Sequence, residues 1–390
     1  MNPRQSALLT ALLSQPTAPF RETHVIGLVT RTLETAGIPF FEDPVGNLIV
    51  GADSRQAYLQ RVKQASTEPV RVFIAHMDHP GFHGMRWLAP NRLKIKWHGG
   101  SPVKHLSGAR LWLATDAGMI AEGRLSRPAL NKGKWAIDTA EVVIPVAALP
   151  NKRPTARGLY GGFEFRSPVW RGGRRLYTRA ADDLAGVFAI LNTAMTLFKG
   201  KTRAARPPFL GLLTRGEEVG FVGAVGHFEL GWLQQHRRPL ICVSLEASRT
   251  LPGAVIGKGP VVRLGDRRTV FDADGLKVLG DLAGKVLKGK HQRRIMDGGS
   301  CEATAATAYG FPSIGMSLPL GNYHNQGFEG GPDCKAPGGP APEFVSVDDI
   351  EGELKLCLAL MREGLHWGEA WGDTRERLFR NFKKYKRFVG

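Results

Sequence analysis

Five positions along the chain carry side chains that could bind metal ions, and each lies next to a short apolar segment. At one of them, two adjacent carboxylates follow the apolar run Phe209 to Leu213 and the glycine that ends it. Two like charges side by side repel, and a metal ion is the strongest compensation that a folded protein can offer them. The candidate ligands are all imidazole or carboxylate groups: His76, Asp182, Glu217, Glu218, Glu246 and His324. Such ligands suit zinc or a similar first-row metal.

The number of candidate ligands predicts two metal ions instead of one. A catalytic zinc ion has three protein ligands and keeps one position open. The two histidines and three of the four carboxylates already exceed that number, and they fit two ions that share a bridging carboxylate, about 3.5–4 Å apart. A carboxylate left over beside a ligand is then available as a general base.

Each position also has a structural interpretation when it is considered alone. Glu217-Glu218 could form a solvated acidic turn, and Asp182-Asp183 could cap the helix that follows. A single histidine at the end of a strand often only forms a structural hydrogen bond. The joint pattern favours chemistry, because ligands at the carboxyl ends of strands in one sheet converge on a single crevice.

The segments that must position these residues alternate between strand and helix patterns at both ends of the chain. Val70 to Ala75, which is apolar apart from Arg71, and Leu240 to Leu245 predict buried strands. Leu184 to Phe198 predicts a buried helix. Val261-Val262 is expected to form an edge strand, and Val347 to Leu365 the closing helix. These patterns indicate an α/β domain.

The middle of the chain has a different pattern. From about Trp87 to Arg175, short alternating runs are punctuated by glycine and proline, with no convincing helix between them. This pattern is typical of a small barrel or sandwich. We therefore expect an α/β domain formed by residues 1–86 and 176–390, with an all-β barrel inserted at residues 87–175.

Four motifs resemble those of the dinuclear-zinc aminopeptidases of the tetrahedral (TET) type, which include glutamyl aminopeptidases. The motifs are Ala75-His76-Met77-Asp78-His79-Pro80-Gly81, Ala180-Ala181-Asp182-Asp183-Leu184-Ala185-Gly186, Gly216-Glu217-Glu218-Val219-Gly220 and Tyr323-His324. Their order matches that of the family, as does the all-β insertion between the first and second motifs. The resemblance spans roughly Val25 to Leu365, and it implies a mixed sheet flanked by helices, as in zinc exopeptidases.

The resemblance also implies a role for each site residue. The ligands form two overlapping sets, namely His76, Asp182 and Glu246 for one ion, and Asp182, Glu218 and His324 for the other. Glu217 would be the general base, and Asp78 would fix the tautomer of His76 through its second ring nitrogen. Asp183 would shape the turn at the bridging ligand, where the family often has a strained peptide bond. Zinc is expected at both positions, with cobalt and manganese as alternatives.

Two features depart from the family pattern. Glu246 stands where the family usually has Asp, and Glu occurs at this ligand position in related carboxypeptidases and deacylases. Leu184 stands where the family usually has Arg or Lys. In addition, Cys301 and Glu302 could line the substrate pocket or begin a helix. These departures leave a metallo-carboxypeptidase or deacylase, an amidohydrolase with the same dinuclear site, as an alternative.

The leading hypothesis is a cytoplasmic metallo-aminopeptidase that trims peptides and forms a homo-oligomer through its inserted β domain. No secretory signal is visible, and no apolar stretch approaches bilayer length, so we expect no membrane partner. The net charge of +18 comes mostly from dispersed residues, and the only dense basic block is Arg375 to Arg387. A nucleic-acid-binding scaffold that uses this tail is a third hypothesis, although a nucleic acid partner is not expected.

Overall fold

Helices and strands alternate in the N-terminal and C-terminal parts of the chain, whereas strands dominate the middle part. The computed structural model of the protein describes residues 1–200 and 207–389. In chain order, the helices are α1 (Pro3–Leu13), α2 (Thr23–Thr35), α3 (Arg55–Lys63), α4 (Leu184–Phe198), α5 (Val222–Glu229), α6 (Ala273–Leu287), α7 (Glu302–Ala308), α8 (Val347–Leu360) and α9 (Gly372–Tyr385). The strands are β1 (Phe40–Glu42), β2 (Leu48–Val50), β3 (Val70–His76), β4 (Gly81–Ala89), β5 (Arg92–His98), β6 (Arg110–Thr115), β7 (Gly118–Leu130), β8 (Ile137–Val143), β9 (Tyr160–Phe163), β10 (Val169–Gly172), β11 (Arg175–Thr178), β12 (Phe209–Thr214), β13 (Leu240–Ser244), β14 (Ala247–Arg249), β15 (Val261–Asp266), β16 (Gln292–Met296), β17 (Ser313–Leu320) and β18 (Glu343–Ser346).

One mixed sheet joins the N-terminal and C-terminal parts. Its strand order is β1-β2-β12-β3-β13-β17-β15-β16, and β14 pairs with β17 off this path. β12, β3, β13 and β17 run parallel to one another, and they are flanked by antiparallel pairings with β2 and β15. The carboxyl ends of the parallel strands therefore meet at one edge of the sheet, where α/β proteins bind their ligands.

Helices cover both faces of this sheet, as β3 shows. Every residue of β3 is buried. Phe73 and Ala75 pack in the cluster that contains the apolar residues of α4, α6 and α8, whereas Val72 and Ile74 join the cluster of α3, α5 and α7. Alternate side chains of a strand point to opposite faces. A strand covered on both faces is mostly apolar, as β3 is apart from Arg71 and His76, and this explains the apolar runs in the sequence.

The middle part forms a closed barrel with the strand order β4-β5-β8-β7-β6-β9, in which β9 pairs back with β4. Its strands run from Gly81 to Phe163, and Leu93, Ile95 and Leu111 are among the residues that fill its interior. β10 and β11, which follow the barrel in the chain, form a small sheet with β18, which follows the last strand of the main sheet. Since only residues 77–80 separate β3 from β4, the barrel begins beside the edge that carries the candidate ligands.

The structure confirms the expected α/β fold with an inserted barrel, and it corrects three details. β15 is not an edge strand, because it pairs with β17 on one side and with β16 on the other. The sequence pattern does not predict β16, because polar residues occupy most of its sequence, Gln-Arg-Arg-Ile-Met. α8 ends at Leu360 instead of Leu365, and α9 follows it unpredicted. Within the described residues, no helix has both the length and the apolar character needed to cross a bilayer.

Candidate active site

All the candidate metal ligands come together at the carboxyl edge of the parallel strands. His76 is the last residue of β3, whereas Glu217-Glu218, Glu246 and His324 follow β12, β13 and β17. Asp182 lies in the turn between β11 and α4. Ligand atoms within 4.8 Å of one another form three overlapping groups: His76, Asp182 and Glu246; His76, Glu217 and Glu218; and Asp182, Glu218 and His324.

Asp182 lies at the centre of the cluster. Its Oδ1 is 3.4 Å from His76 Nε2, and its Oδ2 is 3.6 Å from His324 Nε2. Each histidine also lies near a glutamate, since His76 Nε2 is 3.8 Å from Glu217 Oε2 and His324 Nε2 is 3.1 Å from Glu218 Oε2. The two oxygens of one carboxylate thus face two different imidazoles, as a bridging ligand requires.

Several polar atoms in the cluster are buried without a hydrogen-bond partner. They are Asp182 Oδ1, Glu218 Oε1, Glu246 Oε1 and His324 Nε2. Buried polar atoms normally have a partner, because leaving them unpaired costs free energy. Ligand atoms around a tetrahedral zinc ion lie roughly 3.3 Å apart, and the distances of 3.1–3.8 Å between the histidine and carboxylate atoms are of this order. The donor set therefore fits divalent cations.

The electrostatics of the site also favour bound cations. Burial raises the pKa of Glu217 well above its usual range; His76 partly offsets this, and the neighbouring Glu218 and Glu246 add to it. Burial and the charge of Asp182 likewise raise the pKa of Glu246. Burial opposes a charge on His76, but the surrounding carboxylates raise its pKa well above the usual value. Bound cations would stabilise the ionised form of these buried acids and offset the repulsion between them.

Asp78 holds the turn that carries the adjacent glutamates. Its Oδ1 accepts a hydrogen bond from the Glu217 N–H at 3.0 Å, and its Oδ2 accepts one from the Glu218 N–H at 3.2 Å. Gly216 enters this turn with φ +60°, a conformation that glycine adopts without steric cost. His76 Nδ1 is 3.1 Å from the main-chain oxygen of Asp78 and 3.7 Å from its carboxylate. Asp78 therefore orients His76 through its backbone, while its side chain positions the two glutamates.

Glu343, at the start of β18, is a site residue that the sequence did not reveal. Its Oε2 accepts hydrogen bonds from the N–H groups of Ala181, at 2.7 Å, and Asp182, at 3.3 Å. Its Oε1 accepts a hydrogen bond from the His324 N–H at 2.9 Å. This fully buried carboxylate thereby connects the two loops that carry Asp182 and His324. No motif marks it, because a single Glu at the end of a glycine- and proline-rich loop resembles any solvated turn residue.

Glu302 is a second buried acid of the site. It is the first residue of α7 and follows Cys301 at the N-cap position, so the interpretation that these residues begin a helix is confirmed. Glu302 Oε1 accepts a hydrogen bond from Thr214, the last residue of β12, and Oε2 has no partner. Burial raises the pKa of the Glu302 carboxyl to about 7. Asp183, by contrast, caps α4, since its Oδ1 accepts a hydrogen bond from the Gly186 N–H at 3.1 Å.

A cleft of about 510 Å³ opens onto Glu217, Glu218 and His324. Gly100 and Trp135 of the barrel region line one side of it. A side-chain carbon at position 100 would lie 2.1 Å from His324 Nδ1, so only glycine lets the barrel region approach this histidine so closely. The barrel region therefore contributes a wall of the cleft and contacts one of the candidate ligands.

A mixed α/β sheet with a buried imidazole and carboxylate cluster at its carboxyl edge, beside an open cleft, defines a metal-dependent hydrolase. The sequence model of the family described as M42 glutamyl aminopeptidase matches residues 58–328. The chain belongs to this family. No curated protein matches the sequence significantly.

Solved structures of aminopeptidases share the fold. The TET aminopeptidase from the marine sediment archaeon Thaumarchaeota archaeon SCGC AB-539-E09 has 18% sequence identity and a TM-score of 0.71, with 95% of this chain and 99% of that chain covered. An aminopeptidase from Desulfurococcus kamchatkensis has 20% identity and a TM-score of 0.70, covering 93% of this chain and 96% of that one. The TET1 peptidase of Pyrococcus horikoshii has 20% identity and a TM-score of 0.68, covering 92% and 99%.

The family membership settles the class of reaction. The chain is a metal-dependent aminopeptidase, a hydrolase that acts on peptide bonds. The resemblance seen in the four sequence motifs is thus confirmed. The alternative of a carboxypeptidase or deacylase is not favoured, although Glu246 occupies a position where the family usually has Asp.

Proposed function

We propose that the enzyme removes N-terminal residues from peptides with a dinuclear metal site, in which Asp182 bridges the two ions. The position of Asp182 supports this proposal best, because its two carboxylate oxygens lie 3.4 Å and 3.6 Å from two different histidines. His76 and Glu246 would complete one set of ligands, and Glu218 and His324 the other. Zinc is the metal we propose, and cobalt and manganese accept the same ligands.

Glu217 is the proposed general base. Its side chain is 10% exposed and lines the cleft, so it can reach both substrate and water. The bound ions would supply Lewis acidity, which polarises a carbonyl and lowers the pKa of water. The Glu217 carboxylate then accepts a proton from the attacking water and delivers it to the leaving amine. Asp78 assists by fixing the backbone of Glu217 and Glu218 through two hydrogen bonds.

An acidic N-terminal residue is the substrate preference that we propose, in keeping with the glutamyl specificity in the family's description. A small cavity beside Glu246 is lined by Arg249, Arg263 and Tyr323. Arg263 is fully buried, its Nη1 lies 3.9 Å from Glu246 Oε2, and its Nε has no hydrogen-bond partner. Arg249 also lines the cleft that contains Glu217, where its guanidinium group would pair with a carboxylate side chain of the substrate, and the buried Arg263 adds positive charge beside it.

Metal analysis and blocked substrates test the reaction. Purified protein should contain two equivalents of divalent metal per chain. It should also cleave a peptide with a free α-amine and leave the N-acetylated form of the same peptide intact. A single metal equivalent would contradict the dinuclear site, and cleavage of the acetylated peptide would contradict N-terminal action.

The substrate preference has its own test. Arg249→Met should lower kcat/KM at least tenfold for a glutamyl anilide and leave a leucyl anilide unaffected. Arg237→Met, at an exposed position outside the cavity, is the matched control and should change neither value. Equal losses on both substrates would show that Arg249 does not set the preference.

A cytoplasmic homo-oligomer is the state that we propose, with residues 87–175 as the inserted domain and residues 1–86 and 176–390 as the catalytic domain. The TET1 peptidase of Pyrococcus horikoshii can assemble into a tetrahedron or a large octahedral shell, which supports the oligomer. The cysteines at positions 242, 301, 334 and 357 form no disulfide, in agreement with a reducing compartment. Light scattering of the purified chain would measure the number of subunits.

A further inference from the structure

The C-terminal helix α9 exposes an apolar surface that the aminopeptidase reaction does not use. No residue of α9 is buried. The large apolar side chains of the segment 378–389 are 50–78% exposed: Leu378, Phe379, Phe382, Tyr385, Phe388 and Val389. The segment also lies beyond residues 58–328, which match the family. An apolar surface of this kind on a helix usually marks a binding site.

The side chains of α9 are sorted by face. Leu378, Phe382 and Tyr385 follow a spacing of four and three residues, which places them in one row along a helix. Phe379 widens this row, because its ring stacks on that of Phe382 with centroids 6.2 Å apart. At 100° per residue, Arg380 and Lys384 lie on the opposite side of the helix. Lys383 flanks the row, with its Nζ 4.7 Å from the centroid of the Phe379 ring. We call the row 378, 379, 382 and 385 the apolar face of α9.

The charge of the segment restricts what could cover this face. Residues 372–389 contain seven Arg or Lys and two Asp or Glu, a net charge of +5, in a chain with a net charge of +18. Two copies of this segment packed against each other through α9 would repel, because both carry the same excess of positive charge. Its partner is therefore expected to be anionic and to offer an apolar layer as well.

We propose that α9 binds an anionic lipid surface, with its apolar face in the headgroup region and its basic side chains on the lipid phosphates. A helix with Lys and Arg on one side and Trp, Phe and Leu on the other lies in such an interface. A nucleic acid would engage the basic side chains and leave the apolar face in water. Trp371 fixes the base of the segment to α6, since its Nε1 donates a hydrogen bond to Asp274 Oδ1 at 2.8 Å.

This proposal departs from the expectation of no membrane partner. That expectation rested on the length of apolar runs in the sequence, which bears on spanning a bilayer. Peripheral binding depends instead on the arrangement of apolar residues around a helix, and α9 was not predicted. The proposal is independent of the metal site and of the reaction.

Co-sedimentation of the full-length protein with vesicles tests the proposal. At about 0.15 M salt, the protein should bind vesicles of phosphatidylcholine and phosphatidylglycerol and not vesicles of phosphatidylcholine alone. Leu378→Ser with Phe382→Ser should lower the bound fraction at least fivefold, as should Lys383→Glu with Lys384→Glu. Turnover of an aminoacyl anilide in solution should be unchanged in both variants.

Matched variants elsewhere on the surface serve as controls. Val146→Ser with Met119→Ser removes two exposed apolar side chains from the barrel region, and Lys285→Glu with Lys288→Glu reverses two exposed charges on and after α6. Both should bind vesicles as the parent does. If the variant with Leu378→Ser and Phe382→Ser bound vesicles as well as the parent, the binding would be electrostatic adsorption of a basic protein. That result would overturn the proposal. A change in subunit number in that variant would also overturn it, since α9 would then be a subunit contact.

Discussion

Glu217 and Glu218 are neighbours in sequence, yet the structure gives them different surroundings. Glu218 Oε2 lies 3.1 Å from His324, whereas Glu217 Oε2 lies 3.8 Å from His76 and borders the cleft. The left-handed Gly216 and the two backbone hydrogen bonds that the Asp78 carboxylate accepts fix the turn that carries them. One glutamate is thus suited to bind metal and the other to move protons.

Replacement of Glu217 by Gln tests this division of roles. The amide keeps the size of the side chain but cannot accept a proton, so kcat should fall by about 10²-fold or more. The metal content should stay at the parental value, because Glu217 is not a proposed ligand. Steady-state kinetics and metal analysis on the same sample measure both. The control variant Glu42→Gln, at an exposed position on β1, should leave kcat unchanged. If the Glu217→Gln enzyme were as active as the parent, Glu217 could not be the general base.

At the scale of elements, the barrel region and the sheet meet at His324. Gly100 follows β5, and the Trp97 indole donates a hydrogen bond to its carbonyl at 3.1 Å. Tyr323 stacks on the His324 ring from within the main domain, with ring centroids 3.7 Å apart. The orientation of His324, a proposed metal ligand, therefore depends on a turn of the inserted region.

Gly100→Ala should disturb this contact. The added carbon would lie 2.1 Å from His324 Nδ1, so the ring or the turn has to move, and kcat/KM should fall at least tenfold. Gly284→Ala is the matched control, since nothing lies within 4 Å of the added carbon and alanine favours the helix α6. Activity equal to that of the control would show that the turn adapts without displacing His324.

Glu343→Gln tests the connection between the loops of Asp182 and His324. Glutamine has one acceptor oxygen where Glu343 uses two, so at least one buried N–H would lose its partner, at a cost of about 1–3 kcal/mol in the free energy of unfolding. Metal affinity should weaken about tenfold, because the ligand loops are less well fixed. Urea denaturation and metal titration measure the two effects. Unchanged metal affinity would limit Glu343 to a purely structural role.

These contacts show how far the sequence could predict the molecule. The strands β3, β12 and β13 were predictable, because burial on both faces makes them mostly apolar runs, and the proposed ligands are polar residues at or just beyond their ends. Glu343 was not predictable, since its role depends on loops that precede it by about 160 and 20 residues. β16 was missed because its polar sequence lacks the apolar pattern of a buried strand. α9 was missed because its many Arg and Lys residues were interpreted as a basic tail, although Leu378, Phe382 and Tyr385 follow helical spacing.

At the scale of the whole molecule, the cluster of acids affects stability as well as chemistry. The buried atoms Asp182 Oδ1, Glu218 Oε1 and Glu246 Oε1 have no hydrogen-bond partner. Burial raises the pKa values of Glu218 and Glu246, so ionising these carboxylates works against folding unless cations are present. The cluster also joins β3, β12, β13 and β17 at the edge of the sheet, and metal ions would therefore link the central elements of the fold.

Removal of metal should accordingly lower the melting temperature and abolish activity, and added zinc should restore both. An ion that binds only the native state stabilises it by about 2.7 kcal/mol at a concentration one hundred times its dissociation constant. Differential scanning fluorimetry before and after chelation measures the shift. Asp182→Asn, which weakens the bridging ligand, should show a much smaller shift than the parent, whereas Glu42→Gln should show the full one. Equal melting temperatures for the metal-free and zinc-loaded parent would mean that the cluster holds no ion in the folded protein.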